Sequence, residues 1–192
     1  MRSLDFHFRE VVGSDETILW QGKPNKKCFI LESVFNPMLP FALFWAAVDL
    51  GVIGFGVLKD VQKEGMEPGL LLYLCIFFLV HMTPVWIYLI GIALSVRNYL
   101  FKEYIVTDQA VYISGYHKGY SYEKRRYTDM GSITSRRGMV DKWIGVGDVV
   151  LPAKNGGQSD LGEFAICDVS EYETLLRQTK ELQAAAKANK KN

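Results

Sequence analysis

The residues best suited to nucleophilic or metal chemistry are few and scattered. Three histidines, His7, His81 and His117, fall in three different regions, and three cysteines, Cys28, Cys75 and Cys167, offer no Cys-x-x-Cys or His-x-x-x-His spacing for a metal. Cys167 follows Ile166 in a strand-like run, where a small buried residue is expected rather than a nucleophile. Asp148, in Gly-Val-Gly-Asp, reads as a turn residue leading into a strand, because a catalytic carboxylate needs a partner group. The chain is therefore read as a non-enzyme, with no catalytic residues, metal or cofactor.

Two groups of residues could do other chemistry. Asp49 and His81 each lie near the middle of an otherwise uncharged apolar block. At ~1.5 Å per residue from the intervening loop their depths differ by only ~5 Å, so each is the other's most available partner. The pair reads either as a hydrogen bond locking two helices or two copies, or as a proton-linked site in a membrane transport or enzymatic component. The second group is basic: Lys118, Lys124, Arg125, Arg126, Arg136, Arg137 and Lys142, against Glu123, Asp129 and Asp141 between them. Near a membrane such a segment can dock on anionic lipid or a protein partner; the same charges also suit solvated strand edges. Tyr116, Tyr120, Tyr122 and Tyr127 interleave with it, as a headgroup or peptide surface or as one buried strand face.

Chain averages conceal the elements that must position these groups. In 192 residues, 22 Lys+Arg nearly balance 21 Asp+Glu and 49% of residues are hydrophobic, which excludes a disordered chain, a charge-driven nucleic-acid binder and a disulfide scaffold. Yet Leu39 to Leu58 holds Asp49 as its one ionisable side chain, and Gly69 to Ser95 holds no Asp, Glu, Lys or Arg. Each block suits the ~20 residues needed to cross ~30 Å of hydrocarbon, with Pro84 a kink in the second. Charges throughout the first 30 residues argue against a cleavable signal peptide. Lys23, Lys26, Lys27, Arg97 and Lys102 outside the blocks, against Lys59 and Lys63 in the loop between them, place both termini in the cytoplasm of a multi-pass inner (plasma) membrane protein. Ala42, Ala46, Ala47, Gly51 and Gly54 supply close-packing positions, and a slim hairpin of this kind gains contacts by forming a homo-oligomer.

After Arg97 the pattern changes to short runs rich in Tyr, Val and Ile. FKEYIVT and AVYISGY flank a turn at Asp108-Gln109; YEKRRYT and SITSRRG follow; VGDVVLPA and EFAICDV flank a loop containing Asn155-Gly156-Gly157. Ser170 and Glu173 in capping-box spacing, with Tyr172, Leu175, Leu176, Thr179 and Leu182 as an apolar stripe, predict a closing helix. Strands followed by one amphipathic helix predict an antiparallel β-barrel, partly open and capped by the helix. The fold class is thus α+β with a membrane anchor. Its domains are an N-terminal segment over 1–30, a transmembrane hairpin over 31–96, a β domain over 97–182 and a basic tail over 183–192.

YIVTDQAVYISGY, the basic strand, DMGSITSRRG, KWIGVGDVVL and EFAICDVSEYETLLRQ, in that order, resemble the bacterial pleckstrin-homology-like (PH-like) domain, and DETILWQGKP is similar to the stretch that commonly precedes its membrane hairpin. The resemblance implies a non-enzymatic PH-like barrel tethered to a bilayer, recognising a protein partner or anionic lipid. One position departs from the pattern: Ala110 stands after the Thr-Asp turn, where the family often has Arg.

Overall fold

The computed structural model describes residues 10–52, 67–116, 119–154 and 162–189. Its elements run β1 (Ile18–Gly22), α1 (Lys26–Val34), α2 (Leu39–Gly51), α3 (Pro68–His81), α4 (Thr83–Phe101), β2 (Glu103–Thr107), β3 (Ala110–Tyr116), β4 (Tyr120–Arg126), a 3-10 turn (Tyr127–Asp129), β5 (Thr134–Arg136), α5 (Met139–Ile144), β6 (Gly147–Val150), β7 (Ala165–Val169) and α6 (Tyr172–Asn189). The fold is mixed α+β. One compact unit gathers the chain up to Leu31 and again from Val96 onward; Glu32–Ser95 forms the other.

In the first unit the strands form two antiparallel sheets, ordered β1-β2-β3-β4 and β5-β6-β7. The expected barrel does not close: both sheets are open. The 3-10 turn ends β4, and among the described residues a single bridge, Met130 to Ala153, follows before β5 starts a new ladder. The N-terminal segment is part of this unit, since β1 pairs with β2 through Trp20 opposite Val106 and Gly22 opposite Tyr104.

The core lies between the sheets and under α6. Tyr104 and Val106 of β2 and Val111 and Ile113 of β3 meet Val149, Ile166 and Leu175. The other face of the same strands, Ile105, Ala110 and Tyr112, is covered by Val11 and Val12. With both faces covered, β2 is buried at every position and lacks the alternation of a half-exposed strand. Ala110, the position that departs from the family pattern, is wholly buried in this second layer. The closing helix runs to Asn189, past the predicted stripe. Ala184 to Ala186 favour helix, and Gln183 donates to the carbonyls of Met130 at 3.0 Å and Gly131 at 2.8 Å. Part of the expected basic tail over 183–192 is thus a packed helical turn.

The second unit is built on two proline breaks. Pro37 and Pro84 have no N–H for the carbonyls four residues earlier, those of Ser33 and Val80. In each case the residue before the proline supplies the missing donor. Asn36 Nδ2 donates to the Ser33 carbonyl at 2.7 Å, and Thr83 Oγ1 donates to that of Val80. Neighbouring carbonyls are also capped: Tyr88 donates to Val34 at 2.8 Å, Trp86 Nε1 to Leu79 at 3.1 Å and Trp45 Nε1 to His81 at 2.7 Å. Such capping matters most where water cannot solvate a freed carbonyl.

The expected span over 69–95 is consequently two helices, α3 and α4, parted at Met82. The expected span over 39–58 is helical through Gly51, and 53–58 lie outside the described residues, as does most of the Lys59 to Pro68 loop. By length and composition alone α4 is long and apolar enough to cross a membrane; α1 with α2 qualifies only if counted as one broken span.

Candidate functional site

The basic segment is where the structure departs most from a single free surface. Lys124 pairs with Glu16 and lies 5.0 Å over the Tyr112 ring. Burial opposes ionisation of Glu16, but hydrogen bonds from Lys124, Thr107 and Tyr112 outweigh it and hold the carboxyl below its ordinary range. Arg125 is buried: it donates to the Leu151 carbonyl and to Glu123, both at 2.7 Å, and covers the Phe164 ring at 4.1 Å. Arg136 reaches Glu163 at 2.8 Å and Asp148 at 3.2 Å. Arg137 donates to the Val146 carbonyl at 2.9 Å and stacks 5.3 Å from Tyr172. Lys124, Arg126, Arg136, Arg137 and Lys142 are all exposed, Lys124, Arg136 and Arg137 while held by these contacts, and Lys118, with the Asn155-Gly156-Gly157 loop, His7 and His117, lies outside the described residues. Glu16 and Glu163, two of the acids that engage these cations, come from distant positions, which a count along the segment omits. Of the interleaved tyrosines, Tyr127 is buried with its hydroxyl on the Thr107 carbonyl at 2.8 Å, whereas Tyr120 and Tyr122 are exposed.

Asp49 and His81 do meet, with Oδ1 2.7 Å from Nδ1. The imidazole packs against Trp45 and Phe77, each ring 5.1 Å away. Asp49 is 2% exposed, and its Oδ2 is buried with no hydrogen-bond partner. The site thus holds one satisfied carboxylate oxygen and one unsatisfied, on a helix face otherwise apolar.

Buried acids cluster around α5. Gly138 caps this helix, its N–H donating to Asp141 Oδ2 at 2.6 Å, and Gly145 ends it in the left-handed region at φ 82°. Asp141 Oδ1 accepts from the Cys28 thiol at 3.2 Å. Burial, with Asp141 and Asp168 nearby, pushes the Cys28 thiol up. Burial likewise pushes Cys167 up to about 12, so both thiols stay protonated and poorly nucleophilic at neutral pH. Asp148 lies within β6 rather than in a turn; its Oδ1 accepts the Asp168 N–H at 3.0 Å, and burial raises its carboxyl despite that bond. An open cleft of about 350 Å³ lies beside these residues, lined by Trp20, Gln21, Lys23, Asn25, Asp168 and Glu171 among others.

One surface was not anticipated from the sequence. On α5, Val140 and Ile144 point inward against Cys28 and Val146, and Asp141 is 1% exposed. The opposite i, i+4 pair, Met139 and Trp143, is 74% and 75% exposed, with Lys142 beside them. Gly138, Asp141 three residues on and Gly145 are the sequence signals that mark this helix and hence its outward face. No family model, curated protein or solved structure matches the chain.

Proposed function

We propose that this chain is a membrane-tethered binding or scaffolding module, a PH-like sheet unit carried on a transmembrane hairpin at the cytoplasmic face of the cell membrane, recognising a protein partner or anionic lipid. The apolar character of α4, almost none of which is buried, supports the tether. The observation that carries the binding role is the outer face of α5. Internal contacts engage Lys124, Arg125, Arg136 and Arg137 and turn Asp141 inward, while two large apolar side chains and Lys142 are presented together on α5. Trp and Met at such positions are enriched where proteins bind other molecules.

A photo-crosslinking amino acid at position 143 of the full chain, expressed in cells, tests this. A discrete adduct at 143, protein or lipid by mass, is expected, with none at exposed position 180 of α6. Equal, diffuse labelling at both positions overturns the reading.

A second reading, a component of a membrane transport or enzymatic complex, is favoured by the buried, unpartnered Oδ2 of Asp49 beside His81. Loss of a cellular phenotype in Asp49→Asn, with the protein still folded, would select it over the first.

A further inference from the structure

The last turn of α4 carries the β3–β4 hairpin on its side. Phe101, the final residue of α4, lies 5.0 Å from the Tyr116 ring and 6.4 Å from that of Tyr120. Arg97 places its guanidinium 4.4 Å over Tyr116, and Ser114 Oγ donates to the Phe101 carbonyl at 2.8 Å. Only Lys102 separates α4 from β2. Register then sets the face: Tyr116 is opposite Tyr120 and Ser114 opposite Tyr122, so these four side chains project from one side of the hairpin. Tyr120 and Tyr122 are 42% and 51% exposed, and Leu100, next to Phe101 in the chain, is 56% exposed.

We infer that this tyrosine ridge is an interfacial anchor that rests in the phospholipid headgroup layer around the end of α4. The inference rests on the proposed reading of α4 as a membrane span. If α4 crosses, its apolar run ends at Ser95 to Asn98, and the hairpin bound to its last turn is held at that height. Tyrosine suits that zone because its ring is apolar and its hydroxyl needs a wet partner, while Arg97 can extend its charge to the phosphates. A protein partner would find two tyrosines at the edge of a helix end, well short of the ~800 Å² per partner of a stable interface.

The test uses the full chain with Cys75→Ser and Cys167→Ser, in nanodiscs of phosphatidylcholine and phosphatidylglycerol; Cys28, fully buried, is left in place. A polarity-sensitive fluorophore is attached at Tyr122→Cys, at Tyr120→Cys as the second variant, at Leu89→Cys in α4 and at Lys180→Cys in α6. The ridge positions are expected to emit at shorter wavelength than position 180 and to be quenched more by headgroup nitroxides than by acyl-chain nitroxides. Position 89 is expected to show the reverse preference. Unquenched ridge positions with position 89 quenched from the acyl chains overturn the anchor and leave the span intact. An unquenched position 89 overturns the span and the anchor with it.

Discussion

Asp49 Oδ1 and His81 Nδ1 stand 2.7 Å apart, joining α2 to α3 through the one acid of the first apolar block. The second oxygen of the same carboxylate is buried and unpartnered. Removing the carboxyl therefore relieves one unsatisfied atom while orphaning the imidazole. Asp49→Ala is expected to cost about 1–2 kcal/mol, the upper range for a single interhelical hydrogen bond between apolar helices. Thermal denaturation of the full chain in detergent reads this; unchanged stability would show that the pair does not lock the helices.

Thr83 and Pro84 permit a cleaner cycle. Thr83→Val strips the donor from the Val80 carbonyl and is expected to cost about 1 kcal/mol. Pro84→Ala restores a backbone N–H at the position able to serve that carbonyl. In the double variant the Thr83 effect should shrink, and additive losses in detergent melts would refute the substitution of one donor for the other.

Glu16 should make the sheet unit acid-sensitive. Its folded carboxyl is held below the ordinary range, so the stability it contributes is present above the unfolded pKa and is lost as pH falls through the folded value. Between about pH 5 and about pH 3 the wild type should lose stability faster than Glu16→Gln. Asp148, raised by burial, acts with the opposite sign in both proteins and cancels in the difference. Parallel denaturation curves across that range would remove the Glu16 contribution.

Arg125 and Arg126 are adjacent and basic, yet the structure gives them different work. Arg125→Met removes the Arg125 hydrogen bonds to the Leu151 carbonyl and to Glu123 and should cost about 2–4 kcal/mol. Lysine should rescue only partly, because it cannot hold both acceptors and cover Phe164 at once. Arg126→Glu, at an exposed position, should fall within about 0.5 kcal/mol of wild type. Urea denaturation of the three variants separates these outcomes.

Much of the strand pattern was legible along the chain. The runs around Asp108-Gln109 and from Gly147 onward became β2, β3 and β6, because apolar and β-branched residues bounded by turn formers have few other stable uses. Barrel closure was not legible, since it needs β4 to pair with β5 across the turn at Tyr127–Asp129 and β7 to pair with β1, and no local residue encodes either. The α5 surface was missed for another reason: six residues are too short for a clear period, and its two glycine caps read equally well as loop.

The candidate site divides in the same way. Composition and spacing alone determined two apolar blocks, a proline in the second and the presence of one acid and one histidine at similar depth. Residue types also determined that cations crowd the stretch from Lys118 to Lys142. Which of those cations are engaged within the protein was decided only by folding, because Glu16, Glu163 and the Leu151 carbonyl arrive from positions far along the chain. Electrostatics acts through space over a few ångströms, and a sum of charges along a segment has no knowledge of that distance.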